Sequence, residues 1–164
     1  MSVGILLNHH VNTVKDITIL DGTTLYGDLV GANLAKYQSG NISGTTYTWD
    51  AGIKTALNTY SGNCYMWVEL DKPVNLTKFK TIEFTVNMNQ NSQSSSPGSY
   101  NYYCGVSATS GASLTNSVAY SGNTTGVKTL DISSLSGSYY IKVEHFVNGW
   151  GRRARLTKVR LLTT

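Results

Sequence analysis

The sequence is poor in charge, proline and cysteine. Asp, Glu, Lys and Arg make up 13% of its 164 residues, and it has two prolines and two cysteines. Two cysteines are too few for a small scaffold held together by several disulfides. No segment approaches the ~20 consecutive apolar residues of a membrane-spanning helix, so no membrane partner is predicted. The N-terminus also lacks the basic start and the apolar length of a signal peptide.

Residues typical of strands and turns are abundant instead. Ser, Thr, Asn and Gly are frequent, and the chain carries 11 Tyr and 3 Trp. Aromatic and β-branched residues favour strands, whereas glycine and small polar residues favour turns. A hydrophobic fraction of 40% is sufficient for a core, and the length fits a single core. The composition therefore predicts an all-β globular protein.

Alternation of apolar and polar residues marks the clearest strands. Residues 64–70, 80–88 and 139–147 each alternate with the period of a strand. In the first of these, Cys64, Met66 and Val68 share one face, and Tyr65 and Trp67 share the other. Short strands separated by turn signals are typical of a sandwich or a jelly roll.

The last third of the chain predicts a hairpin. Residues 139–147 are followed by Asn148 and Gly149, and then by a second β-patterned run from Arg152 to Leu162. Asn-Gly between two such runs is a strong hairpin signal. We expect this hairpin to set the register of the sandwich, with its second strand at an edge.

Two parts of the chain are distinguished by their patterns. Residues 1–44 show no clear period, and we expect them to form an N-terminal arm or edge strands. Residues 45–164 are predicted to form an antiparallel β-sandwich domain of the jelly-roll type. Residues 38–46 and 89–99 are polar and predict loops, and residues 54–60 suggest one helical turn.

Residues able to support catalysis or metal binding form no recognisable set. The acidic candidates have ordinary interpretations as solvent-facing strand residues or turn formers: Glu69, Glu83, Asp131 and Glu144. His145 is in phase with Ile141 and Val143, which predicts a buried histidine. We predict no enzyme and no cofactor, but the sequence leaves open whether a loop binds a structural calcium ion. Cys64 and Cys104 fall on core faces and predict buried thiols, with a disulfide as the alternative.

Aromatic side chains are the candidates for binding a glycan or a protein partner. An exposed Trp or Tyr ring stacks on the apolar face of a pyranose, beside polar groups that bind its hydroxyls. The candidates are Tyr65, Trp67, Tyr100, Tyr102, Tyr103 and Trp150. The alternative is that these rings fill the core or a contact between subunits.

Basic residues concentrate at the C-terminus. The balance of charge is −1 over residues 1–140 and +5 over residues 141–164. The candidates for an assembly contact are Arg152, Arg153, Arg155 and Arg160. Their guanidinium groups suit an acidic neighbouring protein, but edge strands are also charged simply to prevent aggregation. Binding to nucleic acid is disfavoured because no nucleic-acid motif accompanies the patch.

A series of short motifs carries a resemblance to a known group of modules. They include Thr48-Trp49-Asp50-Ala51-Gly52, Asp71-Lys72-Pro73-Val74-Asn75-Leu76-Thr77, Phe79-Lys80-Thr81-Ile82, Leu130-Asp131-Ile132-Ser133 and Gly137-Ser138-Tyr139-Tyr140-Ile141. Over roughly residues 45–164, the chain resembles the jelly-roll modules of phage structural proteins and Gram-positive surface proteins, which look like carbohydrate-binding modules. The resemblance implies a β-sandwich that adheres or assembles without catalysis.

Two functional hypotheses follow from this resemblance. The first is a non-enzymatic bacteriophage virion protein, such as a capsid decoration, head-fibre or tail-associated subunit. Made in the host cytoplasm, it would form a homo-oligomer and contact other virion proteins. The alternative is a carbohydrate-binding module that mediates adhesion to host surface glycans.

Overall fold

The computed structural model describes residues 14–40, 46–57, 63–88, 100–121, 125–148 and 152–164. These residues form thirteen strands and one short 3-10 helix, Gly27–Leu29. The strands are β1 (Ile17–Asp21), β2 (Thr24–Leu25), β3 (Leu34–Gly40), β4 (Thr46–Trp49), β5 (Ile53–Leu57), β6 (Asn63–Leu70), β7 (Val74–Asn75), β8 (Thr81–Asn87), β9 (Tyr100–Ser107), β10 (Asn116–Ser121), β11 (Gly126–Asp131), β12 (Ser138–Asn148) and β13 (Arg152–Leu162). The described segments contain no helix with the length and apolar character of a membrane span.

The strands form two antiparallel sheets. Sheet A has the order β11-β8-β13-β1-β2, with β5 also paired to β13 and β4 to β5. Sheet B has the order β10-β9-β12-β6-β3, with β7 also paired to β12. Buried side chains from both sheets form one hydrophobic cluster between them. The predicted all-β antiparallel sandwich is therefore confirmed.

The core follows the predicted alternation of the two clearest strands. On β6, Cys64, Met66 and Val68 are buried, and on β8 the inward row includes Ile82 and Phe84. Complete burial of a large apolar side chain contributes about 1.5–3 kcal/mol. Cys64 and Cys104 are both buried and no disulfide joins them, so the prediction of buried thiols on core faces is confirmed.

The predicted terminal hairpin is wrong. β12 pairs with β6, β7 and β9 in sheet B, whereas β13 pairs with strands of sheet A. The chain therefore passes from one sheet to the other between Asn148 and Arg152. An Asn-Gly sequence is compatible with a hairpin and with a crossing between sheets. The alternation of apolar and polar residues in the two flanking strands is the same in both cases. Crossing the sandwich places the apolar rows of β12 and β13 on opposite sides of one core.

β13 also occupies the middle of its sheet, so the predicted edge position for the basic strand is wrong. β8 lies along one side of β13, and β5 and β1 share the other. The register shifts between Leu156 and Lys158, which marks a β-bulge. Ala154, Leu156, Val159 and Leu161 are buried. β13 is therefore a central strand whose apolar side chains face the core and whose charged side chains face outward.

The N-terminal segment contributes to both sheets. β1 pairs with β13 in sheet A, and β3 pairs with β6 at the edge of sheet B. Residues 17–40 thus supply strands to both sheets, and β3 lies at an edge; the division of the chain at residue 44 stays a prediction, and residues 1–13 and 41–44 lie outside the described part. The helical turn suggested for residues 54–60 is instead strand β5 through Leu57, because its pairing with β13 decides the local conformation.

A buried polar contact joins the two sheets. His145 of β12 is completely buried, as predicted, and its Nδ1 lies 2.9 Å from Thr55 Oγ1 on β5. The ring of Tyr102 meets the imidazole edge-on, with 5.3 Å between centroids. Burial lowers the pKa of His145 from 6.5 to about 3, so the imidazole is neutral in the folded protein near neutral pH.

Candidate functional site

The outer face of sheet B presents aromatic and charged side chains in cross-strand rows. Tyr37, Trp67, Glu144 and Tyr103 are directly opposite one another on β3, β6, β12 and β9. The neighbouring row contains Ser39, Tyr65, Phe146 and Asn101. Directly opposite residues point to the same face of a sheet. Strand register therefore brings together side chains that are distant in the sequence.

The connection between β9 and β10 folds over this face and forms one wall of a cleft. Glu69 Oε1 accepts hydrogen bonds from Ser110 Oγ at 2.6 Å and from the Gly111 amide at 2.9 Å. Lys142 Nζ donates to the carbonyl oxygen of Ala112. Glu69 and Lys142 are cross-strand neighbours and are both buried. Two buried charged residues thus hold this loop against the sheet.

The cleft has a volume of about 310 Å³ and is lined by Tyr37, Tyr65, Trp67, Gly111, Ser113, Lys142 and Glu144. The rings of Tyr37 and Trp67 are nearly parallel, at 20°, with 6.2 Å between their centroids. Tyr65 is tilted by 58° from Tyr37 at 6.4 Å. Tyr37 is 51% exposed, whereas Tyr65 and Trp67 are half-buried. The cleft therefore combines an open ring with two supporting rings.

Charge in the cleft is carried by one ion pair. Lys142 Nζ lies 3.4 Å from Glu144 Oε1 and 4.4 Å from the centroid of the Trp67 ring. The Lys142 side chain is 1% exposed and that of Glu144 is 19% exposed. Burial, the charge of Glu144 and a hydrogen bond with its carboxylate all raise the pKa of Tyr65. The Tyr65 phenol is therefore protonated and able to donate at neutral pH.

The described lining of the cleft lacks the pair of carboxylates that acid–base hydrolysis of a glycoside uses. Among the described lining residues, Glu144 is the only carboxylate, whereas hydrolysis of a glycosidic bond usually needs two. Glu69 is buried beneath the loop and accepts two hydrogen bonds there. Within the described residues there is also no group of three His, Cys, Asp or Glu side chains that could hold a metal ion.

The structure separates the predicted aromatic candidates. Tyr65 and Trp67 line the cleft, and Tyr103 is half-buried on the same face beside Glu144. Tyr102 is completely buried, so its selection as a binding residue is wrong; alternation along β9 turns it toward the core with Cys104. Tyr100 begins β9 but its side chain is outside the described residues, as is Trp150.

Two of the predicted assembly arginines make ion pairs within the chain. Arg155 donates to Asp50 Oδ2 at 2.8 Å, and Lys54 donates to the same oxygen at 2.8 Å. These two hydrogen bonds lower the pKa of Asp50 from 3.8 to about 2. Arg160 pairs with Glu83 at 3.2 Å. Arg153 is half-buried, and the side chain of Arg152 lies outside the described residues.

Sequence reasoning missed Tyr37 and the role of Lys142. Tyr37 belongs to the segment without a clear period and directly precedes the loop predicted for residues 38–46, although it lies within β3. Alternation in β3 separates Leu34, Lys36 and Gln38 from Ala35, Tyr37 and Ser39. Polar residues occupy both faces, so the pattern is too weak to identify the strand. Lys142 alternates with Ile141 and Val143, a pattern that predicts an outward face, and nothing in the sequence showed that a loop covers it.

Comparison with known proteins gives likeness at the level of the fold. A scan against protein-family models finds no match, and a search of curated proteins gives no significant match. A mutant of a family 29 carbohydrate-binding module has a TM-score of 0.52 at 13% identity, over 92% of this chain and 93% of that chain. A structure described among carbohydrate-binding modules of the β-sandwich superfamily has a TM-score of 0.51 at 15% identity, over 90% of this chain and 61% of that one.

A glycoside hydrolase domain, Spr0440 (Endo-D) from Streptococcus pneumoniae R6, has a TM-score of 0.51 at 13% identity. The match covers 80% of this chain but only 22% of the hydrolase. At these identities the likeness establishes the fold alone. The chain is a β-sandwich of the kind found in carbohydrate-binding modules, which confirms the structural part of the resemblance.

Proposed function

We propose that this protein is a non-catalytic carbohydrate-binding module that binds a glycan in the cleft on the outer face of sheet B. The observation that carries the proposal is the nearly parallel pair of Tyr37 and Trp67 rings in that cleft. Aromatic rings bind the apolar face of a sugar by stacking. Tyr37 offers the most open ring area, and the accessible part of Trp67 extends it.

Polar groups around the rings supply the second requirement of a sugar site. Glu144 can accept hydrogen bonds from sugar hydroxyls, and Ser113 can both donate and accept. Each such hydrogen bond contributes a net free energy of about 0.5–1.5 kcal/mol to binding. Stacking with a few such bonds is typical of a site that orients its ligand without activating it.

The fold supports the proposal without deciding it. Carbohydrate-binding modules match most of this chain, but one fold hosts many functions, so the function must be argued from the site. The cleft supplies that argument, because it brings aromatic residues from β3 and β6 together with polar residues from β12 and the β9–β10 loop.

A glycan array tests the proposal. The wild-type protein and Trp67→Ala are applied to neutral and acidic glycans of plant, bacterial and host origin, with Tyr26→Ala as a control at an exposed aromatic outside the cleft. Wild type and the control should bind a common set that Trp67→Ala loses. Absence of any bound glycan, or equal binding by all three proteins, counts against a sugar site in this cleft.

A structural role in a phage particle is a second proposal, and it is compatible with the first. The observation favouring it is a set of exposed apolar residues within residues 14–30: Val14, Ile17, Tyr26 and Val30. Such side chains suit a contact with another subunit. If the protein is a virion subunit, it will co-sediment with purified particles and show a native mass above that of one chain. A monomer absent from particles contradicts this role.

The basic residues of β13 offer a separate test of assembly. Arg153 is the cleaner target because Arg155 and Arg160 already pair with acids of the same chain. If the basic residues of β13 contact an acidic neighbour, Arg153→Glu will reduce co-sedimentation while leaving the unfolding transition in place. Normal assembly of this variant would show that the basic residues of β13 do not form the proposed contact.

A further inference from the structure

The two charged residues of the cleft differ sharply in their accessibility. The Lys142 ammonium group lies beneath the β9–β10 loop and faces three groups at once: the Ala112 carbonyl, the Glu144 carboxylate and the Trp67 ring. Its side chain is almost fully buried, whereas the Glu144 side chain retains some exposure. A ligand entering the cleft therefore meets the carboxylate rather than the ammonium group.

We infer that the cleft selects uncharged glycans and discriminates against acidic ones, such as polymers containing uronic acids. The inference rests on the proposed function and names the class of ligand for the same site. A ligand carboxylate would lose water on entering and would face Glu144, with no accessible cation among the described lining residues to compensate. A neutral hydroxyl at the same place forms a hydrogen bond with that carboxylate.

Matched polymers isolate the charge from the shape of the ligand. The probes are neutral hexose polymers with a primary C6 hydroxyl, β-1,4-galactan, glucomannan and a soluble β-glucan, each compared with a sample oxidised at C6 to the uronate. Oxidation keeps the backbone and replaces a hydroxymethyl group with a carboxylate. Binding is measured by affinity electrophoresis at low and at moderate ionic strength, because salt screens a repulsion between accessible charges.

The variant Glu144→Gln tests whether this carboxylate is responsible. Glutamine retains an oxygen that accepts the hydrogen bond from Tyr65, and it removes the negative charge that offsets Lys142. Glu83→Gln is the matched control, because it removes the same charge from sheet A, where Glu83 pairs with Arg160. Circular dichroism and the unfolding midpoint of each variant establish that it is folded before binding is compared.

The wild type and Glu83→Gln should bind a neutral polymer at least 10-fold more tightly than its oxidised partner, a difference of about 1.4 kcal/mol. Glu144→Gln should reduce that ratio at least threefold, and added salt should reduce it in the wild type. Equal or tighter binding of the oxidised polymer by the wild type overturns the inference and leaves glycan binding intact. A ratio unchanged in Glu144→Gln overturns the assignment to this carboxylate. No binding of either polymer, with none on the array, overturns the proposed function itself.

Discussion

The Nζ atom of Lys142 lies 4.4 Å from the centroid of the Trp67 ring. The same ammonium group holds the carbonyl of Ala112, and so connects the floor of the cleft to its loop wall. A desolvated cation over an indole is worth about 2 kcal/mol. The ring proposed to contact sugar is thus held in place by a residue that the ligand itself does not need to touch.

Replacing Lys142 should destabilise the protein more than replacing an exposed lysine. Lys142→Met keeps most of the volume but leaves Glu144 without its cation and Ala112 without its donor. We expect the free energy of unfolding to fall by about 2–4 kcal/mol. Lys158→Met is the control, because its ion pair with Asp21 is solvent-exposed and should change stability by less than about 1 kcal/mol. Urea unfolding measures both; equal effects would show that the buried contacts of Lys142 are not stabilising.

Glu69 should control the order of the β9–β10 loop. Its Oε1 atom accepts both the Ser110 hydroxyl and the Gly111 amide. Glu69→Ala removes both bonds, whereas Glu69→Gln keeps one oxygen in the same position. Hydrogen exchange at the Gly111 amide should be about 10- to 100-fold faster in Glu69→Ala than in wild type, and Glu69→Gln should lie between them. Unchanged exchange in Glu69→Ala would mean that other contacts hold the loop.

His145 should make the fold sensitive to acid. The unfolded chain takes up a proton on this residue near pH 6.5, whereas the buried imidazole resists protonation until about pH 3. Between these values the unfolded state binds more protons, so stability falls with falling pH by up to about 1.4 kcal/mol per pH unit from this residue. His145→Gln should remove that part of the slope. Urea unfolding at several pH values from 7 to 4 compares the two proteins, and parallel curves would contradict the assignment.

Asp50 should titrate well below an ordinary aspartate. The bonds from Arg155 and Lys54 hold its pKa at about 2, compared with 3.8 without them. These ion pairs therefore contribute to stability above pH 3.8, and the contribution is lost as the pH falls through about 2. In Arg155→Gln the titration midpoint of the Asp50 carboxyl carbon, followed by NMR, should move upward toward the ordinary value. A midpoint that stays in place would show that Arg155 does not set this pKa.

The fold class was predictable because alternation records which face of a strand is buried. Tyr65 and Trp67 were placed correctly on the outer face because Cys64, Met66 and Val68 form an unbroken inward row. The pairing of β12 with β6 rather than with β13 was not predictable in this way. Partners are chosen by long-range packing, and an Asn-Gly turn is compatible with either choice.

The candidate site was only partly predictable for the same reason. Tyr37 lies 30 positions from Trp67 in the chain and joins it only through the register of β3 with β6. The buried state of Lys142 depends on a loop that crosses the sheet, and no local pattern encodes that crossing. Tyr102 and Tyr103 illustrate the opposite case. Cys104 was assigned to a core face, and alternation along β9 places Tyr102 on that same face, so its selection as a binding residue could have been avoided.

The most direct test of the sugar site compares two exposed tyrosines by titration calorimetry. The ligand is the glycan that binds most strongly on the array, and the proteins are wild type, Tyr37→Ala and Tyr26→Ala. Both side chains are exposed, so neither change should affect folding, but only Tyr37 lines the cleft. Binding should weaken at least 10-fold in Tyr37→Ala, about 1.4 kcal/mol, and remain at the wild-type level in Tyr26→Ala. Wild-type affinity in Tyr37→Ala would contradict the proposal that this cleft binds sugar.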